Sequence, residues 1–516
     1  MPPLPAIPLV GRVLAAVVLG LALAVAFAPY EQWWLLAPSV AGLTVVCTGI
    51  RVRAAALVGF AYGLSFTLAL VPWLTVIGPA AWIALSTLEA VFFGFLGVAV
   101  AVVVGRPGWP LWVACCWVGT EQLKASIPWG GLPWGRLAFA LGETPLAAYA
   151  RLGGVAMLTG IAVLIVNVAL AAVWRRRVAP ASGLLIASVA ALVTVGWLLP
   201  VSSPSDATFT VAVVQGNVPG HGLEAFVERR AVLNNHVSAT HQLAASIRSG
   251  QLPQPNLVIW PENSTDIDPF ADKAAAAAIS GAVADVGAPT LVGAVVDAPD
   301  GDHLLNMAIV WDPRTGPGAE YVKRHLVPFG EYVPFRSLLA THISALDQIP
   351  IDFAPGSRPG VLRVAGTTIG DVFCFEVAYD DLLRDLVNGG ARLLVVQTNN
   401  ATYLGTSQLP QQWQMSRLRA IEFGRTVAVA STDGISGIVA PDGTVLAESS
   451  TATRAILVRQ VPLESGLTPA ARFGALIEWM LSVTGLLAVA ASVIYRRWPR
   501  TVGSPGEEPI SEEPTS

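Results

Sequence analysis

Long apolar runs, broken by short polar loops, make up most of the first 200 residues of the chain. A membrane-spanning helix needs about 20 apolar residues, and runs near that length predict seven spans before residue 200 and an eighth near the C-terminus. The predicted spans are 9–28, 33–50, 54–74, 80–104, 108–123, 145–173, 181–199 and 473–495. Because no apolar run between 200 and 470 is long enough to cross a bilayer, the pattern predicts a polytopic helical membrane domain joined to a large polar domain.

The polar part contains short runs of β-branched and apolar residues that alternate with helical patterns. The predicted strands are Phe209–Val214, Asn256–Ile259, Thr290–Val296, Met307–Trp311, Thr367–Phe375, Arg392–Gln397, Thr426–Ala430 and Ala455–Val458. Helical stretches are predicted at 274–285, 378–388 and 411–424, and Pro441–Gly443 marks a hairpin turn. Strands that alternate with helices predict a layered α/β domain.

Composition and charge exclude two classes of protein. The chain is 53% hydrophobic and 13% charged, whereas soluble domains have about 25% charged residues. Residues 1–200 contain four acidic and ten basic side chains, and all six histidines lie between 221 and 342. The net charge of −4 is small and mixed in sign along the chain. An ordinary soluble enzyme and a nucleic-acid-binding protein are therefore both excluded.

The basic residues indicate how the chain is oriented in the membrane. With eight spans, one side carries the arginine clusters at Arg12, 51–53, Arg106, 175–177 and 496–497, and the positive-inside rule makes that side cytoplasmic. Lys124 and Arg136 are minor exceptions on the outer side, and the first span is expected to be an uncleaved anchor rather than a cleaved signal peptide. The predicted units are a membrane domain at 1–200, an extracytoplasmic domain at 201–470, a C-terminal span at 471–497 and a disordered cytoplasmic tail at 498–516.

Cys374 is a candidate nucleophile. It comes at the end of a predicted strand, and the residues that follow it have a helical pattern, so its thiol lies on a strand-to-helix elbow. The dipole of a helix N-terminus lowers the pKa of a thiol and favours the reactive thiolate. The alternative is a buried structural cysteine, and the local pattern alone does not separate the two.

Lys323 and Glu262 complete a possible set of catalytic groups. The chain has 28 Arg and three Lys, so a lysine beside Arg324 indicates a need for a compact ammonium, unless it stands there by chance. Glu262 closes a predicted strand after Pro261, a position that suits a raised pKa and proton transfer; a surface acid at a strand end is the alternative. Together the three side chains supply a base, a cation for a developing oxyanion and a nucleophile.

Three ordered motifs carry a resemblance to known families. They are Trp-Pro-Glu-Asn at 260–263, the run from Lys323 to Pro334, and Cys-Phe-Glu at 374–376, preceded by Gln-Gly-Asn at 215–217. These motifs resemble the Glu-Lys-Cys triad of the nitrilase, or carbon–nitrogen hydrolase, superfamily. With the flanking spans, residues 8–495 resemble the bacterial apolipoprotein N-acyltransferase family. The resemblance implies a nitrilase-like four-layer αββα sandwich for 207–462.

The resemblance also implies a reaction, its substrates and its place in the cell. Cys374 would take an acyl chain from a membrane phospholipid as a thioester, while Glu262 moves the proton and Lys323 stabilises the oxyanion. The α-amine of an S-diacylglyceryl-cysteine at an apolipoprotein N-terminus would then accept the chain as an amide. No metal or other cofactor is implied. The expected enzyme is a monomer in the cell membrane, with its catalytic domain on the extracytoplasmic side.

The resemblance further assigns supporting roles to two acids and several aromatic residues. These residues are Glu331, Glu376, Phe329, Tyr332, Phe335 and Phe375. Glu376 is expected to orient Lys323 or the elbow, and Glu331 to form the wall of an acyl pocket, with a structural salt bridge as the alternative for each. Phe375 stands where the family often has Tyr. The other aromatics are expected to be lid residues that touch acyl chains, or else simply core residues.

Two other functions remain compatible with the residues. A membrane-anchored amidase could use the same triad to hydrolyse a small extracytoplasmic amide. Acyl transfer differs from that reaction because it needs a lipid-lined pocket that excludes water. A non-catalytic receptor or transporter could carry an inactive copy of the domain, although all three triad residue types are present.

Overall fold

A computed structural model describes residues 7–174, 207–218, 229–336 and 350–497, together with single helical positions between 187 and 198. The first part of the molecule is a bundle of apolar helices. These helices are α1 (Leu9–Val25), α2 (Leu36–Cys47), α3 (Val52–Leu70), α4 (Pro79–Val103), α5 (Trp109–Lys124) and α6 (Ala150–Trp174). The C-terminal helix Pro469–Arg497 packs against α5 and α6 and completes the described part of the bundle.

Several of these helices have the length and composition of membrane spans. Among the described residues, four segments are long and apolar enough to cross a membrane: Val52–Leu70, Pro79–Val103, Pro145–Trp174 and Pro469–Tyr495. The apolar helices at Leu9–Val25 and Trp33–Cys47 are shorter. The predicted span at 181–199 lies outside the continuously described residues. The apolar helical part is confirmed, and the number of eight spans stays a prediction.

Two basic side chains of the membrane part, Lys124 and Arg136, are buried together with carboxylates, as ionisable groups at membrane depth often are. Lys124 donates from Nζ to Glu89 of α4 at 2.9 Å, and also to the carbonyl oxygens of Leu132 and Trp134. Arg136, in the loop that follows α5, is likewise buried among carboxylates. These two residues are the exceptions to the positive-inside pattern named above. Their positions are explained by pairing within the protein.

Two six-stranded sheets make up the polar domain in the described residues. The strands are β1 (Thr208–Gln215), β2 (Leu257–Ile259), β3 (Thr290–Asp297), β4 (Leu304–Asp312), β5 (Gly316–Val322), β6 (Val361–Val364), β7 (Thr367–Phe373), β8 (Leu393–Thr398), β9 (Thr426–Ser431), β10 (Gly437–Val439), β11 (Val445–Glu448) and β12 (Ala455–Pro462). The strand orders are β12-β1-β2-β3-β4-β5 and β11-β10-β9-β8-β7-β6. Strands β1 to β3 are parallel to one another, as are β7 to β9. Their carboxyl ends therefore share one edge of each sheet.

Helices cover the outer faces of both sheets. Apolar residues of α7 (Arg229–Arg248) and α8 (Lys273–Val286) pack on the first sheet, and those of α9 (Asp380–Asn388) and α10 (Gln408–Phe423) pack on the second. The inner faces of the sheets meet in a core of small and β-branched residues, among them Val211, Ile259, Ile369, Val395 and Ala428. The predicted four-layer αββα sandwich is thus confirmed.

Strands β5 and β6 were absent from the predicted elements, and both are edge strands. An edge strand has one neighbour and needs little apolar surface. Residues 317–320 of β5 are exposed, and β6 has four residues, so neither has a long buried run that marks a strand. The short edge strand β5 matters nevertheless, since it leads directly to Lys323.

The helical layer on the second sheet is also the surface that packs on the membrane bundle. One continuous apolar core contains residues of α9, α10 and the bundle helices. At its centre the Gln411 side chain accepts hydrogen bonds from the indole N–H groups of Trp73 and Trp134, at 3.1 and 2.7 Å. It donates to the carbonyl oxygens of Ala28 and Leu70. From here on the C-terminal helix Pro469–Arg497 is α11.

Candidate active site

The structure brings Glu262, Lys323 and Cys374 together at one edge of the sandwich. Glu262 lies three residues beyond the end of β2, while Lys323 and Cys374 directly follow β5 and β7. The charges of Glu262 and Lys323 both act on the Cys374 thiol. The three residues that the sequence pattern singled out are therefore one cluster in space.

Glu262 is held by donors from three directions. The residue is only 3% exposed. Its Oε1 accepts hydrogen bonds from Lys323 Nζ at 2.9 Å and from Asn306 Nδ2 at 2.7 Å, and its Oε2 accepts one from the Asn399 N–H at 3.0 Å. These partners stabilise the carboxylate in one position beside the thiol.

Lys323 lies between two carboxylates and is 2% exposed. Its Nζ is 2.9 Å from Glu262 Oε1 and 2.9 Å from Glu331 Oε1. Burial alone lowers the pKa of Lys323, but the attraction of Glu262 and Glu331 holds that pKa well above its usual value. The ammonium is therefore permanently charged. Glu331, expected in the wall of an acyl pocket, lies instead inside this ion-pair cluster.

Cys374 occupies a sharp elbow. Its φ of 46° is in the left-handed region that non-glycine residues seldom adopt, and such backbone strain concentrates at functional sites. Strand β7 ends at Phe373, and a short 3₁₀ helix, Cys374–Ala378, follows it before α9 begins. The expected strand end at Phe375 and the longer helix starting there are therefore corrected. The residue as a whole remains partly exposed, although the surrounding protein desolvates its thiol.

The pKa of the Cys374 thiol differs from the lowered value that was expected. Removal of the sulfur from water and the nearby Glu262 carboxylate raise the pKa of Cys374 to about 12, although Lys323 lowers it in part. The expected lowered pKa is therefore wrong, because desolvation and the Glu262 charge outweigh the effects that favour the thiolate. The thiol therefore needs a base to remove its proton during attack.

This acidity predicts the pH dependence of thiol alkylation. Below its pKa, a thiol gains about tenfold in thiolate fraction per pH unit. We expect the rate at which iodoacetamide alkylates Cys374 to rise about tenfold per unit between about pH 7 and pH 10, without a plateau. Mass spectrometry of the Cys374 peptide measures the rate, since Cys47, Cys115 and Cys116 are buried. A plateau below about pH 9 would show a thiolate of ordinary or lowered pKa.

Glu376 joins the loop of Lys323 to the elbow of Cys374. It is completely buried. Its oxygens accept hydrogen bonds of 2.8–3.0 Å from one hydroxyl and three backbone N–H groups, those of Tyr321, Arg324, His325 and Phe373. Burial raises the pKa of Glu376, against the lowering effect of Lys323. Its contacts fit the expected orienting role on both sides at once.

Comparison with known proteins identifies the family that has this architecture. Residues 19–169 match the family described as the apolipoprotein N-acyltransferase N-terminal domain, and residues 210–466 match the carbon-nitrogen hydrolase family. An apolipoprotein N-acyltransferase from Mycolicibacterium smegmatis is 38% identical over 509 residues, covering 93% of this chain and 85% of the relative. The chain belongs to the apolipoprotein N-acyltransferase family. Family members from Ralstonia nicotianae and Chromobacterium violaceum are 31% and 29% identical, and the alignments cover 92% and 94% of the chain and the same shares of those relatives.

A solved amidase structure aligns with about half of the chain. An amidase from Nesterenkonia sp. aligns with a TM-score of 0.37 at 20% identity, covering 51% of this chain and 92% of the amidase. A likeness of that size says nothing about the substrate. The amidase alternative therefore has no support from it, whereas the apolipoprotein N-acyltransferase relatives align over both the bundle and the sandwich.

Aromatic residues beside Cys374 and after Lys323 contact tryptophans of the membrane part in this apolipoprotein N-acyltransferase family member. Phe375 stacks on Trp134 of the bundle, with ring centroids 6.2 Å apart and planes at 12°. Phe329 meets Trp129 edge-on with ring centroids 6.2 Å apart, and its N–H donates to the carbonyl oxygen of Tyr332 at 2.7 Å. The expected lid aromatics thus face an aromatic loop of the membrane part. Whether they touch acyl chains stays a prediction.

Three contributors to the site were absent from the predicted set. Asn306 bridges the two carboxylates, donating to Glu262 and to Glu331 at 2.7 and 3.0 Å. The Asn399 N–H and the Trp134 ring complete the surroundings described above. Asn306 could have been found, because it is a polar residue inside the apolar strand β4. The Asn399 contact comes from the backbone and leaves no signal in the sequence.

Proposed function

We propose that this chain transfers an acyl chain from a membrane phospholipid to the N-terminal α-amine of an S-diacylglyceryl-cysteine apolipoprotein, through a thioester on Cys374. The observation that carries the proposal is the buried Lys323–Glu262 pair beside the Cys374 elbow, in a domain packed on a bundle of apolar helices. Both substrates are lipids, so a site held against the bundle would meet them at the membrane surface. Relatives named for this reaction align along nearly the whole chain.

In the first half-reaction the Cys374 sulfur attacks the ester carbonyl carbon of the phospholipid. Glu262 accepts the thiol proton, which a thiol of high pKa does not release unaided. Negative charge develops on the carbonyl oxygen, and the Lys323 ammonium stabilises it. The ester C–O bond then breaks, and Glu262 returns the proton to the departing lysophospholipid oxygen. The product is a thioester on Cys374.

In the second half-reaction the α-amine of the apolipoprotein attacks the thioester carbonyl carbon. Glu262, again a carboxylate, accepts a proton from the attacking amine. Lys323 stabilises the second oxyanion in the same place. The C–S bond breaks, the sulfur takes the proton from Glu262, and an amide leaves the site. The two substrates therefore react in turn with one nucleophile, in a ping-pong sequence.

Supporting residues keep this geometry in the proposed enzyme. Glu331 balances the second side of Lys323, and Glu376 fixes the backbone on both sides of the cluster. Phe375 and Phe329 line the path of the acyl chain, since both contact tryptophans of the bundle loop. Tyr332 holds the backbone of that lid loop.

We place the enzyme in the cell membrane as a monomer with about eight spans. The proposed units are the membrane domain at 1–200, the catalytic domain at 201–470, the last span at 471–497 and the cytoplasmic tail at 498–516. The arginine clusters support a cytoplasmic location of the loops that carry them. The catalytic domain then lies on the extracytoplasmic side.

The direct test follows the acyl-enzyme. Purified protein in detergent is given phospholipid with a labelled sn-1 chain, denatured and analysed with and without hydroxylamine, which cleaves thioesters. We expect label that hydroxylamine releases and that peptide mapping places on Cys374. A synthetic diacylglyceryl-cysteine peptide added before denaturation should receive the label as an amide, which hydroxylamine does not cleave.

Two results would contradict the proposal. Absence of label from the parent protein across several phospholipids and detergents would remove acyl transfer. Rapid hydrolysis of small amides by the same preparation would then favour the amidase. Label mapped to a residue other than Cys374 would show that a different nucleophile forms the acyl-enzyme.

A further inference from the structure

A chain of buried ion pairs crosses from the membrane bundle to the catalytic domain. Arg136, in the loop between α5 and α6, is 2% exposed. Its Nη1 donates to Asp380 Oδ2 at 2.8 Å, and its Nη2 donates to Glu478 Oε1 of α11 at 2.8 Å. Its Nε is 3.6 Å from Glu121 Oε2 of α5. One side chain thus ties two bundle helices to the first residue of α9.

Arg419 of α10 continues the chain on the catalytic side. It is completely buried. Its Nη2 donates to Asp380 Oδ1 at 2.6 Å, and its Nη1 donates to Glu422 Oε2 at 2.5 Å. Burial alone raises the pKa of Asp380, but Arg136 and Arg419 lower it below its usual value. Asp380 is therefore a carboxylate shared by two guanidinium groups, one from each part of the molecule.

The same guanidinium holds the far end of the nucleophile elbow. Arg419 Nε donates to the carbonyl oxygen of Val377 at 2.9 Å, and its Nη2 donates to that of Ala378 at 2.7 Å. These are the last two residues of the 3₁₀ helix that begins with Cys374. Carbonyl groups at a helix end have no partner within the helix, so Arg419 satisfies them and anchors the helix.

Arg419 and its neighbour also touch the bundle directly. The Arg419 guanidinium carbon lies 5.4 Å from the centre of the Phe139 ring, which belongs to the bundle loop. Helix α6 breaks its helical backbone at Gly153 and Gly154. A Cβ on Gly154 would lie 2.8 Å from Glu422 Oε1, so this break lets the α6 backbone approach the Glu422 carboxylate.

We propose that Arg419 is a positioning residue for Cys374, and that Arg136 and Asp380 connect it to the membrane bundle. These ion pairs fix the position of Cys374 relative to the membrane, and the membrane holds the substrates. Arg419 serves four acceptor groups at once, which a planar guanidinium with five N–H groups can do and a lysine ammonium cannot. Displacement of a reacting group by about 1 Å can cost about 100-fold in rate.

The test compares Arg419→Lys and Arg136→Lys with Arg417→Lys. Arg417 lies on the same helix but is partly exposed and pairs only with Glu143 among the acids of the described residues. In single-turnover acylation by labelled phospholipid, we expect Arg419→Lys to lower the limiting rate by about 10- to 100-fold. The phospholipid concentration at half-saturation should change by less than about twofold. Arg136→Lys should lower the limiting rate by about 3- to 10-fold, and Arg417→Lys should match the parent.

A purely structural role gives a different result. It would lower the unfolding temperature in detergent while leaving the limiting rate of the folded fraction near the parent value, and that result overturns the proposal. A change in the half-saturating phospholipid concentration alone, with an unaltered limiting rate, also overturns the proposal. If Arg419→Lys does not fold, Arg136→Lys is the variant that tests the proposal, because the Arg136 side chain is remote from the elbow. An unchanged limiting rate in Arg136→Lys would contradict the coupling.

The positioning proposal depends on the proposed function only through the phospholipid readout. Alkylation of Cys374 by iodoacetamide needs no lipid and provides an independent measure. We expect Arg419→Lys to change that alkylation rate at least about threefold at fixed pH, since the thiol moves relative to Glu262 and Lys323. If the parent is not labelled by phospholipid, acyl transfer fails, while the alkylation comparison still supports or overturns the positioning role.

Discussion

Glu262→Gln is expected to lower the rate of acyl-enzyme formation by about 10³-fold. Gln has nearly the same shape, so its oxygen can still accept the hydrogen bonds from Lys323 and Asn306. It cannot accept a proton from the Cys374 thiol, whose pKa is raised to about 12. Its amide N–H₂ would also face the Asn399 N–H, where the native carboxylate oxygen accepts a hydrogen bond.

The measurement is single-turnover labelling from sn-1-labelled phospholipid, with Glu320→Gln as the matched control. Glu320 is an exposed residue of the same edge strand that leads to Lys323, so its change should leave the rate unaltered. The half-saturating phospholipid concentration should stay near the parent value, because a proton acceptor acts mainly in the transition state. A Glu262→Gln rate within about tenfold of the parent would assign the base to another group.

Lys323→Met is expected to lower the same rate by about 10²- to 10³-fold, because the oxyanion loses its buried cation. The change also leaves two carboxylates, Glu262 and Glu331, facing each other without the ammonium that now lies 2.9 Å from each. Breaking a buried pair by removing one partner costs about 3–5 kcal/mol in the free energy of unfolding. We therefore expect a loss of stability together with the loss of activity.

Lys273→Met is the control for this second prediction. Lys273 is exposed at the start of α8, so neither activity nor unfolding temperature should change. Labelling at a temperature well below the midpoint of the variant separates the two effects of Lys323→Met. If the folded variant labels at the parent rate, the oxyanion is stabilised elsewhere.

Local patterns in the sequence and the family resemblance together located the predicted triad. A lysine in an arginine-rich chain, an acid behind Pro261 and a thiol behind a β-branched run each mark an element end. Glu262 follows a strand of the first sheet and Cys374 follows a strand of the second, so their grouping came from matched chemistry and the family resemblance. Edge strand β5 was not predicted because it lacks a buried apolar run.

The ion pairs of the site and the pKa of the Cys374 thiol could not be predicted from local patterns. Glu262 and Lys323 are 61 residues apart, and Arg136 and Asp380 are 244 residues apart. Which charges meet depends on packing between distant elements. The expected thiolate at Cys374 was therefore wrong, because desolvation and the nearby Glu262 raise the thiol pKa. For Glu331 the structure shows the salt-bridge alternative, a contact with Lys323, and its role in an acyl pocket stays a prediction.

The amino-acid pattern alone established a membrane bundle, a sandwich of alternating strands and helices, and three chemically matched residues. Hydrophobic periodicity and turn residues act over a few positions, so they can be recognised in one dimension. The fold added the site's electrostatics: a charged Lys323, a protonated Cys374, and a guanidinium chain from Arg136 to the nucleophile elbow. Those properties depend on burial and on distances through space, and a linear sequence contains neither.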